Sequence, residues 1–73
     1  MPGVLLPSLV VPEITDRCDR CAAAAKLVAA LRSGGTLAFC GHHANRYADA
    51  ITRVAVQLTV QAGFAWRGTA QPS

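Results

Sequence analysis

Apolar positions along the chain first predict a hairpin. Residues 26–31 and 36–39 are two short, mostly apolar segments on either side of Ser33-Gly34-Gly35. Two such segments around a glycine-rich turn are typical of a β-hairpin. The alanines at 22–25 would also suit a helix, but that run is four residues long. We therefore expect a hairpin between residues 26 and 39.

From His43 onward the apolar pattern changes to helical spacing. One apolar stripe recurs at intervals of three and four residues, formed by Tyr47, Ile51, Val54, Ala55, Leu58 and Ala62. This spacing predicts a helix that runs to residue 62, where Gly63 stands as a C-terminal cap. A strand is the alternative for the second half, because apolar residues also alternate there, at Val54, Val56, Leu58 and Val60. We favour the helix because its register holds from Tyr47 without a turn residue.

The first fifteen residues have the character of an extended arm. Prolines recur every five residues, at Pro2, Pro7 and Pro12, and each fixes φ and removes a hydrogen-bond donor. Six large apolar side chains are unusual in a free tail; they are Val4, Leu5, Leu6, Leu9, Val10 and Val11. We expect this arm to lie against a partner chain or to add to the sheet edge of the hairpin, with a disordered terminus as the alternative. Without a basic start it fits neither a signal peptide nor a membrane helix.

Two short motifs contain every cysteine and histidine of the chain: CDRC at residues 18–21 and CGHH at residues 40–43. C-x2-C lets two sulfurs converge on one metal, and C-x2-H places two ligands on one side of a first helical turn. Together they predict a closed zinc site formed by Cys18, Cys21, Cys40 and His43. His42 is the alternative fourth ligand, although its C-x-H spacing fits a helical turn less well. A hairpin between the pairs brings them together, whereas a straight helix of eighteen residues would separate them by roughly 27 Å.

Length and cysteine count strengthen the metal interpretation. A chain of 73 residues buries a small core, and small scaffolds usually need a staple such as one structural Zn²⁺. Three cysteines would leave one thiol over in a disulfide framework, so they indicate a metal and a reducing compartment. We therefore expect a cytoplasmic protein. A redox dithiol is the alternative for C-x-x-C, but no strand–helix context precedes it.

Charge and chemistry together favour a binding module over an enzyme. The net charge of +3 is mildly basic, and three thiolates with one Zn²⁺ would bring it near +2. A closed site leaves no position for a catalytic water, and the glutamate that deaminases place two residues after a ligand is absent. We expect neither an enzyme nor a small-molecule substrate. Dispersed arginines such as Arg46 and Arg53 leave nucleic-acid binding open.

The order of ligand loop, hairpin, ligand pair and helix resembles the treble-clef zinc finger. In that class a zinc knuckle supplies two ligands, and the first turn of the helix after the hairpin supplies the other two. This resemblance implies a small zinc-stabilised α+β fold. We divide the chain into an apolar arm at 1–15, the zinc-binding module at 16–62 and a short tail at 63–73 that carries Phe64 and Trp66.

Three segments resemble an uncharacterised family of small zinc-finger-like proteins of actinobacteria and their phages. They are DRCDRC at 16–21, SGG at 33–35 and FCGHH at 39–43, and the resemblance covers roughly residues 15–58. It implies a cytosolic, metal-bound module in which the cysteines and one of the two histidines are ligands, and it implies no known activity. One departure is Ala22, where such proteins would have the glycine that relaxes the knuckle backbone.

These observations predict a small adaptor or regulator that docks on a larger protein assembly, without a membrane. A nucleic-acid-binding zinc finger is the first alternative. A structural component of a phage particle, which the family resemblance permits, is the second.

Overall fold

The computed structural model describes residues 7–68, which form a four-stranded sheet with two short helices. The elements are β1 (Ser8–Val11), β2 (Leu27–Leu31), β3 (Thr36–Phe39), α1 (Gly41–Arg46), α2 (Ala48–Val54) and β4 (Ala55–Gln61). The strand order is β1-β4-β2-β3. β1 runs parallel to β4, and the other neighbours are antiparallel. The arm residues Val4, Leu5 and Leu6 lie outside the described residues.

The predicted hairpin is confirmed as β2 and β3. Three residues, 32–34, lie between the hydrogen-bonded residues Leu31 and Gly35, and the Gly34 N–H donates to the Leu31 carbonyl at 2.9 Å. The Leu31 N–H in turn donates to the Gly35 carbonyl at 2.8 Å. Gly34 has φ +106°, a left-handed conformation that glycine adopts without strain. This is the three-residue hairpin loop with a glycine bulge, and it explains the Ser-Gly-Gly sequence.

The prediction of one helix to residue 62 is wrong in two respects. The chain forms two helices that are separated at Tyr47, and the second ends at Val54. Residues 55–61 form β4, which is hydrogen-bonded between β1 and β2. The strand alternative holds because β-branched residues fit a pleated surface and because two partner strands from elsewhere in the chain supply the pairing. Gly63, with φ +86°, is not a helix cap. It sits in the turn that follows β4, where the Phe64 N–H donates to the Gln61 carbonyl at 3.1 Å.

Part of the arm belongs to the sheet. The Leu58 N–H donates to the Pro7 carbonyl at 2.9 Å, and the Ala62 N–H donates to the Val11 carbonyl at 2.8 Å. β1 therefore adds to the sheet as expected, but on β4 and not on the hairpin. Behind it, on the sheet face away from the helices, a small cluster is built on Ile14, Ala25 and Ala38.

The main core lies between the sheet and the helices. Its buried members are Leu27, Ala29, Phe39, Ala44, Ile51, Ala55 and Leu58. The tail closes one end, because Trp66 packs on this core and its Nε1–H donates to the Ala44 carbonyl at 2.7 Å. Nowhere in residues 7–68 is a helix long and apolar enough to cross a membrane. The fold is thus a small α+β unit with Cys40 at the junction of sheet and helix.

Candidate metal centre

The first pair of predicted ligands, Cys18 and Cys21, lies in a tight turn that is closed by backbone hydrogen bonds. The Ala22 N–H donates to the Cys18 carbonyl at 2.8 Å, and the Cys18 N–H donates to the Ala23 carbonyl at 2.7 Å. The Arg20 N–H points at the Cys18 sulfur, at 3.4 Å. This turn holds Cys18 buried and leaves Cys21 exposed on the same side.

Ala22 explains why glycine is expected after the second cysteine. Its φ is +65°, in the left-handed region where a Cβ is disfavoured. The turn therefore keeps the backbone that glycine would adopt freely, and the alanine carries strain there.

Asp19 fastens this turn to the sheet. Its N–H donates to the Ala38 carbonyl at 2.9 Å, and its carboxylate Oδ2 accepts the Ala38 N–H at 2.7 Å. β3 is an edge strand, so these groups of Ala38 point away from β2. The attachment brings the first cysteine pair beside Cys40, two residues after Ala38. Sequence reasoning missed this role, because the partner of Asp19 lies nineteen residues away.

The second pair of predicted ligands, Cys40 and His43, lies in the first turn of α1, as the C-x2-H spacing predicts. Cys40 is the N-cap residue, with extended backbone, and its carbonyl accepts the Ala44 N–H at 2.8 Å. His43 follows three residues later on the same side of the helix. Gly41 lets the tail approach, since a Cβ at that position would lie 3.2 Å from the Phe64 ring.

The four residues Cys18, Cys21, Cys40 and His43 converge. One ligand atom from each can be chosen so that all four lie within 4.8 Å of one another. The His43 Nδ1 is 3.5 Å from the Cys18 sulfur and 3.4 Å from the Cys40 sulfur, and the sulfurs of Cys21 and Cys40 are 3.7 Å apart. This arrangement is compatible with a metal site. His42 is exposed and meets His43 edge-on, with 5.1 Å between the ring centroids.

Tyr47 and two arginines surround the histidine. The Tyr47 ring stacks on His43 with centroids 5.8 Å apart and an angle of 9° between the planes. The guanidinium carbons of Arg20 and Arg46 lie 5.2 Å and 5.9 Å from the centre of the Tyr47 ring. Arg20 also donates to the Tyr47 hydroxyl at 3.4 Å. The sequence pattern placed Tyr47 in the core stripe and did not indicate this stacking.

The two cysteines of the turn differ in acidity. Burial raises the pKa of the Cys18 thiol, but hydrogen bonds from the backbone N–H groups of Cys40, Arg20 and Cys21 outweigh it and lower the pKa from 9.0 to about 6. A backbone hydrogen bond at Ala23 lowers the pKa of the Cys21 thiol, but desolvation and the neighbouring thiols outweigh it and raise this pKa. Cys18 is therefore a thiolate near neutral pH, which is the form that binds metals.

Comparison with known proteins assigns a family. Residues 12–65 match the family model of a domain of unknown function, DUF7455, and the chain belongs to that family. The matched segment contains the whole Cys-His cluster and the elements from β2 to β4. No curated protein and no solved structure matches the chain.

Proposed function

We propose that this chain is a non-enzymatic interaction module whose fold is held by one structural Zn²⁺. The ligands are Cys18, Cys21, Cys40 and His43. The observation that carries the proposal is the spacing of their donor atoms. Zinc bonds of about 2.3 Å to sulfur and about 2.0 Å to nitrogen imply tetrahedral edges of about 3.8 Å between sulfurs and about 3.5 Å between sulfur and nitrogen. The observed separations are 3.7, 3.5 and 3.4 Å.

The donor set favours zinc among the biological metals. Three thiolates and one imidazole are soft and borderline ligands, which suit zinc and not the oxygen-seeking magnesium or calcium. Such sites are four-coordinate and mostly structural. In a chain this small the metal would contribute much of the folding free energy, because the site joins the first turn, the hairpin and α1.

The arrangement supports a treble-clef-like zinc finger. The first cysteine pair lies in a knuckle, the second pair lies in the first turn of a helix, and the hairpin β2–β3 connects them. This chain extends that plan, since β4 and β1 widen the hairpin into a four-stranded sheet.

The closed site argues against catalysis. Four protein ligands complete a tetrahedron and leave no position for a reactive water. Asp19 has the carboxylate closest in sequence to the cysteines. Its Oδ2 accepts the Ala38 N–H, so this carboxylate has a structural role and is a poor candidate for a catalytic base. Interaction is supported by the surface, where large apolar side chains are exposed at Leu9, Val10, Leu37, Val54 and Val56. We therefore favour docking on a protein assembly, in a reducing cytoplasm.

Metal-dependent capture tests this function. The tagged full chain, loaded with zinc, is used to recover partners from lysate with and without nuclease, alongside a Cys40→Ser variant. We expect zinc-dependent capture of protein that survives nuclease and moderate salt. Capture that is lost with nuclease, or that weakens steeply with salt, would assign the module to nucleic acid instead.

A further inference from the structure

An apolar groove lies beside the metal centre, between the hairpin and α2. We call it the hairpin groove; it is lined by Leu31, Leu37, Phe39, Tyr47, Ile51 and Val54. Its volume is about 350 Å³. That size is at the lower end of ligand pockets, roughly 300–1,000 Å³, and suits a few side chains. Leu37 and Val54 on its rim are 37% and 47% exposed, so apolar surface there is left in water.

Positive charge stands at both ends of the hairpin groove. Arg20 lines the end beside the metal centre. At the other end the groove shares Leu31, Leu37 and Val54 with a second recess, which Arg32 and Arg53 line. Among the described residues that line either recess, the one carboxylate is Asp19, and its Oδ2 already accepts the Ala38 N–H. The charges therefore complement an acidic ligand.

The edge of β3 restricts how such a ligand can bind. A strand added along this edge would need the outward N–H and C=O of Ala38, and Asp19 holds both. Pairing in the manner of an added strand is thus blocked at Ala38, within β3 (Thr36–Phe39). The alternative mode inserts side chains from one face of a helix, spaced at i, i+3, i+4 and i+7.

We propose that the hairpin groove binds an acidic amphipathic helix of a partner protein. Apolar side chains of that helix fill the space between Leu37 and Val54, and its carboxylates pair with Arg20 at one end and Arg53 at the other. This inference rests on the proposed function and names the kind of partner. It also makes docking depend on metal, because Arg20 and Tyr47 line the groove and Tyr47 stacks on His43.

A display library of helical peptides tests the proposal. The probe is a set of sixteen-residue peptides with apolar residues at helical spacing and with glutamate or lysine allowed at every flanking position. The zinc-loaded full chain selects from it, and Val54→Ser, which adds no charge to the groove, is used for counter-selection. We expect glutamate to be enriched over lysine at the flanks. An enrichment of lysine, or no enrichment, would overturn the proposal.

A selected peptide then measures the groove residues directly. In fluorescence anisotropy, Val54→Glu and Arg53→Glu should each weaken binding by about tenfold or more, through lost packing and reversed charge. Val56→Glu is the matched control: Val56 is 43% exposed but lies outside the groove, and binding should stay within twofold. Equal losses in all three variants would contradict the assignment.

Zinc content separates the hypothesis of a structural zinc from the hypothesis that the hairpin groove binds an acidic helix. Each sample is assayed for bound zinc before binding is measured, and the far-ultraviolet spectrum confirms the fold. A chain that holds no zinc refutes the structural role of the metal. A folded, zinc-loaded chain that selects no acidic helix refutes the groove proposal alone. A chain that prefers a labelled twenty-nucleotide single strand refutes both the groove proposal and docking on protein, and leaves the structural zinc in place.

Discussion

Asp19 and Ala38 exchange two hydrogen bonds, one through the Asp19 backbone at 2.9 Å and one through its carboxylate at 2.7 Å. One residue of the cysteine turn thus occupies both outward backbone groups of a buried residue on the edge strand. The pair fixes how far the turn lies from Cys40. Convergence of the three cysteines and His43 therefore depends on a contact that none of these four residues makes.

Replacing Asp19 by alanine should destabilise the zinc-loaded protein by about 1–3 kcal/mol. The Ala38 N–H would lose a charged acceptor in a part-buried hydrogen bond, and hydrogen bonds to charged groups contribute roughly 1.5–3 kcal/mol. Asp19→Asn keeps an acceptor oxygen, so its free energy of unfolding should lie between that of the parent and that of Asp19→Ala. The free energy of unfolding from urea titration with excess zinc measures the effect.

Asp16→Ala is the matched control for this measurement. Asp16 is also exposed and lies in the same segment, but it takes part in the fold through its carbonyl, which accepts the Ala25 N–H at 3.0 Å. That bond survives the substitution. If the free energies of unfolding of both variants lie within roughly 0.5 kcal/mol of the parent, which is the spread of surface substitutions, the Asp19 contact does not stabilise the fold.

Ala22→Gly should stabilise the protein by about 0.5–1 kcal/mol. Glycine removes the Cβ strain at φ +65°, and this gain exceeds the extra entropy of glycine in the unfolded chain. Ala24→Gly, at an exposed position that pairs with Arg17 and has negative φ, should destabilise instead. Thermal unfolding of the two zinc-loaded variants gives the comparison, and a lower midpoint for Ala22→Gly would contradict the strain argument.

The local parts of the fold could be predicted from the sequence. The hairpin follows from Ser33-Gly34-Gly35, because a glycine in the left-handed region is a requirement of the turn itself. The Cys-His cluster follows from spacing, because two-residue gaps confine each ligand pair to one turn. These features depend on residues within a few positions of one another, so a sequence pattern carries them.

The parts of the fold that depend on distant residues could not be predicted from the sequence. Ala55 and Leu58 are buried, as the helical stripe requires, yet a strand buries them. The helical spacing and the alternation of a strand both fit residues 54–60. Pairing with β1 and β2 makes this segment a strand, and no local pattern contains that information. The contacts of Asp19 with Ala38 and of Tyr47 with Arg20 span nineteen and twenty-seven residues, and were missed for the same reason.

Zinc should be lost on acidification, with retention above about pH 6. The pKa of Cys18 is lowered in the folded chain, so the stabilisation of its thiolate is fully present above the unfolded value of 9.0 and is lost as the pH falls through about 6. Bound zinc favours the thiolate further and shifts the loss downward. A chromophoric zinc indicator follows release during titration. A release midpoint above pH 7 would contradict this acidity.

Deleting residues 1–12 should lower the free energy of unfolding by at least about 1–3 kcal/mol while zinc remains bound. The deletion removes the carbonyls of Pro7 and Val11, which accept hydrogen bonds from the Leu58 and Ala62 N–H groups, each with a net contribution of about 0.5–1.5 kcal/mol. Deleting residues 1–6 is the control, since it keeps both acceptors. If the parent and the deletion of residues 1–12 have equal free energies of unfolding, β1 does not contribute to the stability of the fold.

X-ray absorption at the zinc edge, on the full chain purified from a zinc-containing culture, tests whether the three cysteines and His43 bind one structural Zn²⁺. We expect one zinc per chain, bound by three sulfurs at about 2.3 Å and one nitrogen at about 2.0 Å. His43→Ala should lose the nitrogen ligand or the metal, whereas His42→Ala should leave the spectrum unchanged. A chain without stoichiometric zinc, a shell that contains oxygen, or a spectrum that changes with His42→Ala and not with His43→Ala would refute this site.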